Sequence, residues 1–444
     1  MRHPVRTLTG WARYPRAESR LVCAETPDRL PELIAGCTDY VARGNGRAYG
    51  DAAIGLYQTL AMRGLDRFRT FDPPSGLLTV EAGVLLADIL SAFVPRGYFP
   101  AVVPGTQYVT VGGMIAADVH GKNHHRDGGM GNQIDSFVLL LPEGIAVRCS
   151  REAHPELFAA TIGGMGLTGT IVEATLRLRP IESGWIRQST IAAPDLAGLT
   201  AALDESADAS YSVAWVDCLS RGAALGRGLV FLGEHASFAD TAHLRSLSTK
   251  TKAGLAVPLD LPPKSLNRLS IGAFNTLYYN RGASRVGAPR YIPWNRYFFP
   301  LDGLRDWNRL YGRRGFVQHQ CVIPAADSAA ILPEILDRVA RLGCASPLAV
   351  LKHLGTGNGL LSFPMKGYTL TLDLPATPTV FTVLDAIDRL VAISGGRLYL
   401  AKDSRQARET FEAGYSNLNK FRELRRSIGA ESRLTSHLSA RLGI

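Results

Sequence analysis

Apolar and polar positions along this chain change period repeatedly, dividing it into short helices, short strands and glycine-rich loops. Residues 28–36 read as a helix and 39–43 as a short strand. That strand runs into Val41-Ala42-Arg43-Gly44-Asn45-Gly46-Arg47-Ala48-Tyr49-Gly50-Asp51-Ala52. Leu77 to Ala82 reads as a second strand and Leu86 to Val94 repeats apolar residues at helical spacing, before Gly97, Pro100 and Pro104 break the chain. Thr161 to Val172 sets Gly163, Gly164, Gly166 and Gly169 ahead of a strand that continues from Glu173 to Leu178 in β alternation. This is α+β texture. A βαβ dinucleotide fold is excluded, because the first glycine run is followed by Asp51-Ala52-Ala53 and a weak strand pattern, not a long apolar helix.

The glycine-rich loops carry the first candidate chemistry. Gly44, Gly46 and Gly50 lie within seven residues, flanked by Arg43 and Arg47. Glycines allow positive φ and close backbone approach, so successive N–H groups converge on phosphate oxygens while an arginine supplies charge. A simple chain reversal is the alternative for that run taken alone. The segment from Pro104 to His125 repeats the device: Gly105, Thr106, Thr110, Val111, Gly112 and Gly113, then Ala117, Asp118, Val119 and His120. Gly112-Gly113 lets a ligand lie against backbone, and the two threonines offer hydroxyls to phosphate or ribose. A tight turn with a packed short helix is the plainer reading. Together with 161–172, these segments point to a bound nucleotide cofactor. His120, His124 and His125 have no carboxylate or cysteine at a ligand spacing, and Lys122 among them repels a cation, so no metal is expected. His120 is better placed to approach a cofactor ring.

At 444 residues and 46% apolar content, the chain can bury a large core and is expected to divide into two or three domains. It holds no run of about 18 apolar residues, and Met1 to Arg6 lacks the apolar stretch of a secretion signal, so a cytoplasmic location is expected. Cys23, Cys37, Cys149, Cys218, Cys321 and Cys344 lie far apart and read as reduced core residues. The net charge of +10 fits nucleic acid, an anionic membrane or a phosphorylated substrate. With no nucleic-acid-binding motif and with basic residues scattered, no nucleic acid partner is expected.

The three glycine-rich segments resemble the FAD-binding half of the vanillyl-alcohol-oxidase-type flavoproteins. Within that superfamily the chain resembles the flavoprotein subunits of decaprenylphosphoryl-β-D-ribose 2′-epimerases along nearly its whole length. The likeness includes Thr9-Gly10-Trp11, the Arg-Gly-x-Gly-Arg-x-Tyr-Gly-Asp loop at 43–51 and Val119-His120-Gly121-Lys122-Asn123-His124-His125. It continues through Gln318-His319-Gln320, Val350-Leu351-Lys352, Leu361-Ser362-Phe363-Pro364 and the stretch from Gly395 to Ser404. The resemblance implies a two-part FAD-binding domain, 1–183 and 397–444, interrupted by a substrate-binding domain at 184–396 built on an antiparallel sheet. A Tyr399-Leu400-Ala401-Lys402 strand is expected to complete the flavin site. Cofactor contacts are implied for Ala42 to Ala52, for the positions from Gly105 to His120 named above, and for Ile171 and Tyr399. Many relatives tether FAD through a histidine where this chain has Tyr49, so non-covalent FAD is expected.

The implied reaction is oxidation of the 2′-hydroxyl of a polyprenyl-phosphoryl-β-D-ribose to the 2′-keto sugar. A separate NAD(P)H-dependent short-chain reductase would complete epimerisation to the arabinose form. Lys402, His120 and Tyr49 become the catalytic candidates, with Lys402 either an electrostatic stabiliser of reduced flavin or the base for the hydroxyl proton. Lys122, Gln318, Gln320, Lys352, Thr371 and Lys402 become the substrate contacts. Lys352 would hold the phosphate, and Gln318 and Gln320 share one strand face suited to sugar hydroxyls. Asn45 and Ala48 depart from the family loop, Thr371 replaces the cysteine of the mycobacterial enzymes, and Tyr415-Ser416-Asn417 lacks an expected Pro-Arg. The competing readings are a soluble FAD-dependent alditol or aldonolactone oxidase using oxygen, and a flavin-fold scaffold without turnover. Residues 249–296 mix basic and apolar residues, which suits either peripheral contact with the inner face of the membrane or an ordinary packed excursion.

Overall fold

The computed structural model describes residues 3–244, 254–262, 265–343, 346 and 348–444. Met1, Arg2, Cys344 and, from the basic and apolar segment, 249–253 and 263–264 lie outside the described residues. The architecture is α+β. Arg16–Cys23 pairs antiparallel with Val5–Thr9 and parallel with Gln58–Ala61, which in turn pairs parallel with Val41–Arg43 at the sheet edge. The glycine loop therefore leaves an edge strand. The helix expected over 28–36 is a 3-10 turn, Pro27–Arg29, followed by Leu30–Ala35, with Leu30 and Ile34 buried against Val22 and Leu60.

A six-stranded sheet follows, with Phe68–Asp72, Leu77–Glu81, Thr170–Pro180, Ile134–Leu140 and Ala146–Ser150 in that order and Tyr98–Pro100 paired to the central strand. Leu86–Phe93 packs Leu86, Ile89, Leu90 and Phe93 into its core, one helical face in two turns.

The eight-stranded antiparallel sheet runs in the order Arg290–Pro293, Trp185–Ala193, Gly228–His235, Tyr211–Val216, Ala349–Leu354, Gly367–Pro375, Phe316–Pro324 and Arg397–Leu398. One face is covered by the helices Leu196–Glu205, Ser328–Leu342 and Pro378–Ile393, whose apolar residues pack with Val317, Cys321 and Ile323. Strand alternation turns Gln318 and Gln320 the other way. Register sets Gln318 opposite Asp373, Gln320 opposite Thr371, and Lys352 opposite Thr369. The uncovered face is thus polar at its centre.

Two expectations are corrected. The strand at the C-terminal return is only Arg397–Leu398, and Tyr399 to Lys402 form a turn closed by Lys402 N donating to Tyr399 O at 2.9 Å. Tyr399 N still reaches Gln320 O, but the chain must then leave the sheet edge so that Ala401 O can accept from Tyr49 N, also at 2.9 Å. Cys23 is exposed, because it ends a strand at an outward-facing position, whereas Cys37, Cys149, Cys218 and Cys321 are buried.

The C-terminal segment returns to the first sheet. Tyr40 N donates to Arg433 O at 2.8 Å, and Arg441 bridges Asp51 and Asp403 at 2.9 Å each. Gly50 has no room for a side chain, since a Cβ there would lie 1.8 Å from Asp403 O. No helix among the described residues is long and apolar enough to cross a membrane. Of the 254–296 segment, Val257, Ile271, Asn275, Gly282 and Trp294 are buried, while much of the Arg268–Ala283 helix is exposed.

Candidate active site

The glycine loops, the uncovered sheet face and the C-terminal turn enclose a cavity of about 900 Å³. One half is nearly all backbone and small side chains. Ala42, Gly44 through Tyr49, Ala52, Gly105, Thr106, Thr110, Gly112, Gly113, Ala117, Val119, His120, Ile171 and Tyr399 line it. Five expected contacts lie off this wall. Arg43 folds back onto Thr9 O at 2.7 Å and Ala53 O at 3.2 Å. Gly50 packs against Asp403, Asp51 is paired with Arg441, and Val111 sits in the core. Asp118 accepts from Gly131 N at 2.9 Å and from the Ser362 hydroxyl. Of these, Arg43, Asp51 and Asp118 brace the loops.

The cation left on the wall is Arg47, whose guanidinium lies 4.0 Å from the Trp11 ring centroid. Its buried Nε has no partner among the described residues. Thr110 caps the helix Val111–Ala116 by accepting from Gly113 N, and a Cβ on Gly44 would meet its hydroxyl at 2.1 Å. That close approach keeps the two loops in register.

The other half is built of side chains. Lys122, Gln318, Gln320, Lys352, Thr371, Asp373 and Lys402 face into it from three strands and two loops. Lys402 Nζ sits 3.6 Å above the Tyr49 ring, which packs edge-on against Phe316. Gln318 donates to Asp373 Oδ1 at 2.5 Å. Gln320 donates to Thr369 at 3.1 Å and meets His120 Nε2 at 2.9 Å. With Nε2 accepting, the His120 proton resides on Nδ1, a buried atom with no partner among the described residues.

Burial dominates the electrostatics. It lowers Lys352 to about 8, and it lowers Lys122 to about 7 with help from the Lys352 charge. His120 is held well below its usual value by burial and by Lys352, so it is neutral. Lys402 is lowered by burial against the opposing pull of Asp373, and Asp373 is raised by burial against the Gln318 hydrogen bond and Lys402. Lys122 donates to Tyr297 O and lies 4.0 Å over that ring. Three amines facing one carboxylate suit an anionic guest. Beyond them the cavity becomes apolar, lined by Val213, Trp215, Phe231, Phe274, Tyr278 and Leu348.

Asp373, Trp11 and this apolar arm are the parts that the sequence reading missed. Asp373 had a signal: it stands two residues from Thr371, and the alternation that aligns Gln318 with Gln320 also aligns Thr371 with Asp373. The aromatic arm had none, since Trp215, Phe231 and Tyr278 meet only through tertiary packing.

Residues 19–150 match the FAD binding domain family. The chain is 35% identical to the decaprenylphosphoryl-beta-D-ribose oxidase of Mycolicibacterium smegmatis, over 98% of this chain and 97% of that protein. It is 37% identical to an uncharacterised protein of Streptomyces coelicolor, over 81% and 100% respectively. Similarity to the L-gulonolactone oxidase of Bos taurus is 28% and covers 31% of each chain. The site fits an FAD on its own geometry. The loops at 44–49 and 105–113 bring glycines and small side chains to the cavity wall, Arg47 Nε and His120 Nδ1 are buried without a partner among the described residues, and Gly105 faces open space where a Cβ would meet nothing.

Proposed function

This chain belongs to the family of FAD-dependent oxidases typified by decaprenylphosphoryl-β-D-ribose oxidase, and from that premise we propose that it oxidises the 2′-hydroxyl of a polyprenyl-phosphoryl-β-D-ribose to the 2′-keto sugar. The observation that carries this reading is the placement of Lys122, Lys352 and Lys402 between a backbone-lined half and an aromatic arm within one cavity. That order matches a cofactor, a charged sugar phosphate and a prenyl chain in sequence. A free polyol has no use for the last two.

FAD, when bound, supplies the ring that accepts hydride from the sugar carbon. Residues 1–183 and 397–444 hold it without a covalent tether, and 184–396 present the substrate. The Lys402 amine, whose proton affinity is lowered by burial, takes the 2′-hydroxyl proton. The resulting ammonium is held by the Tyr49 ring face and by Asp373, which Gln318 fixes in place. Gln320, oriented by Thr369 and His120, offers its amide oxygen to a sugar hydroxyl. Lys352 and Lys122 bind the phosphate. The keto product is consumed by an NAD(P)H-dependent short-chain reductase, and the enzyme works in the cytoplasm at the inner face of the membrane.

Anaerobic flavin bleaching tests the reading. Polyprenyl-phosphoryl ribose is expected to bleach the protein rapidly, and xylitol or L-gulonolactone slowly or not at all. Faster bleaching by a free polyol or lactone would replace it with the soluble-oxidase reading. Acid precipitation is expected to release the yellow colour into the supernatant; a yellow pellet would refute the untethered flavin.

A further inference from the structure

The Arg268–Ala283 helix buries Ile271 in the core yet keeps further large apolar residues on its outer face. Its buried positions include Asn275, which donates to Asp217 Oδ1 at 2.7 Å, and Gly282, which packs on Leu229. Its solvent face instead presents Leu269 at 84% exposure and Leu277 at 69%, eight residues apart and so on one side of the helix. Ile271 in the core, the Asn275 hydrogen bond and the close packing of Gly282 tie the helix to the sheet, so the outward leucines are held in place and not merely frayed. An exposed apolar stripe on an anchored helix marks a contact surface.

Two further observations identify what it contacts. Phe274 and Tyr278 on the same helix, 44% and 38% exposed, also line the apolar arm of the cavity, and Tyr278 packs on Trp215 with ring centroids 4.8 Å apart. The stripe is therefore continuous with the interior path. Around it, Arg268, Arg281, Arg285 and Arg290 are all exposed, and no acidic residue occurs between 261 and 296. An apolar stripe in a purely cationic frame complements anionic headgroups above an acyl layer.

We propose that the outer face of the Arg268–Ala283 helix docks on an anionic lipid bilayer and opens the apolar arm of the cavity directly to it. A prenyl chain then passes from the acyl layer between Phe274 and Tyr278 without crossing water, while its phosphate moves to the lysines. This rests on the lipid-linked substrate assigned above for its purpose, but not for its observations.

The test is co-sedimentation of the FAD-loaded protein with vesicles of phosphatidylglycerol or of phosphatidylcholine at moderate salt. Strong binding to the first and weak binding to the second is expected. Leu269→Ser/Leu277→Ser should weaken partitioning by at least about tenfold, given the size of the apolar surface withdrawn. Arg281→Glu/Arg285→Glu should weaken it about tenfold or more and remove the lipid preference. Both variants should oxidise a detergent-dispersed, short-prenyl substrate within about twofold of the parent. Absent vesicle binding by the parent, or equal binding by both variants, overturns the proposal. So does an unchanged vesicle affinity accompanied by lost self-association or lost capture of the reductase, which would assign the face to a protein. Vesicle binding without oxidation of the dispersed substrate would leave the docking surface standing and remove the substrate assignment instead.

Discussion

The two halves of the cavity are made of different material. On the cofactor side the wall is main chain from contiguous loops, and the charged side chains nearby, Arg43, Asp51 and Asp118, are spent on bracing it. On the substrate side the main chain is consumed by the sheet ladder, and the wall is made of side chains brought together by register. A backbone wall is sensitive to an added Cβ and indifferent to most side-chain chemistry. A side-chain wall has the opposite sensitivities, and substitutions can test that contrast.

The largest effect is expected at Lys402. Lys402→Met removes the proton acceptor and should lower the anaerobic flavin reduction rate by about 10²- to 10⁴-fold. FAD content should be unchanged, because Lys402 stands on the substrate side. Loss of flavin together with rate would erase the distinction between the halves. Next is Lys352→Met, which should raise KM for the phosphorylated substrate ~10- to 100-fold with little change in kcat. In the parent, Lys352 is protonated below about 8, so KM should climb as pH rises through that value. The variant has no such limb. A parent KM that is flat from pH 7 to 9 would remove Lys352 from phosphate binding.

On the cofactor side, Gly50→Ala places a methyl 1.8 Å from Asp403 O, and neither backbone can yield without separating the loop from the C-terminal turn. A loss of about 1–3 kcal/mol in stability is expected, with weaker FAD retention. Ala48→Ser, a side-chain change on the same loop, should alter neither by more than a few tenths of a kcal/mol. Equal effects from the two would mean that the loop binds through side chains after all.

The same contrast explains what could be read in advance. Glycine loops and the helix Leu86–Phe93 are local patterns, and both stand where their spacing puts them. The α+β class followed from the same local texture. Arg43 and Asp118 were visible as residues but not as braces, since their partners at Thr9, Ala53 and Ser362 lie up to 244 positions away. The turn at Tyr399 to Lys402 looks like a strand locally, and only the demand of Tyr49 N for a partner bends it. Asp373 was half legible, because alternation fixed its face while only register could set it against Gln318.

Asp373 also gives the finest test of the side-chain wall. Its carboxylate raises the Lys402 pKa against the lowering by burial, so Asp373→Asn should let Lys402 fall further. Lys402 acts as a base only when neutral, and the rising limb of kcat against pH should therefore move to lower pH. The asparagine oxygen can still accept from Gln318, so the geometry is retained while the charge is lost. The ammonium formed after proton uptake then has only the Tyr49 ring to hold it, and the plateau kcat should fall by about tenfold or less. The two changes have opposite signs at low pH, where more of the lysine is neutral but each turnover is slower. A purely structural carboxylate would lower the plateau and leave the limb in place, and that outcome would return Asp373 to the braces.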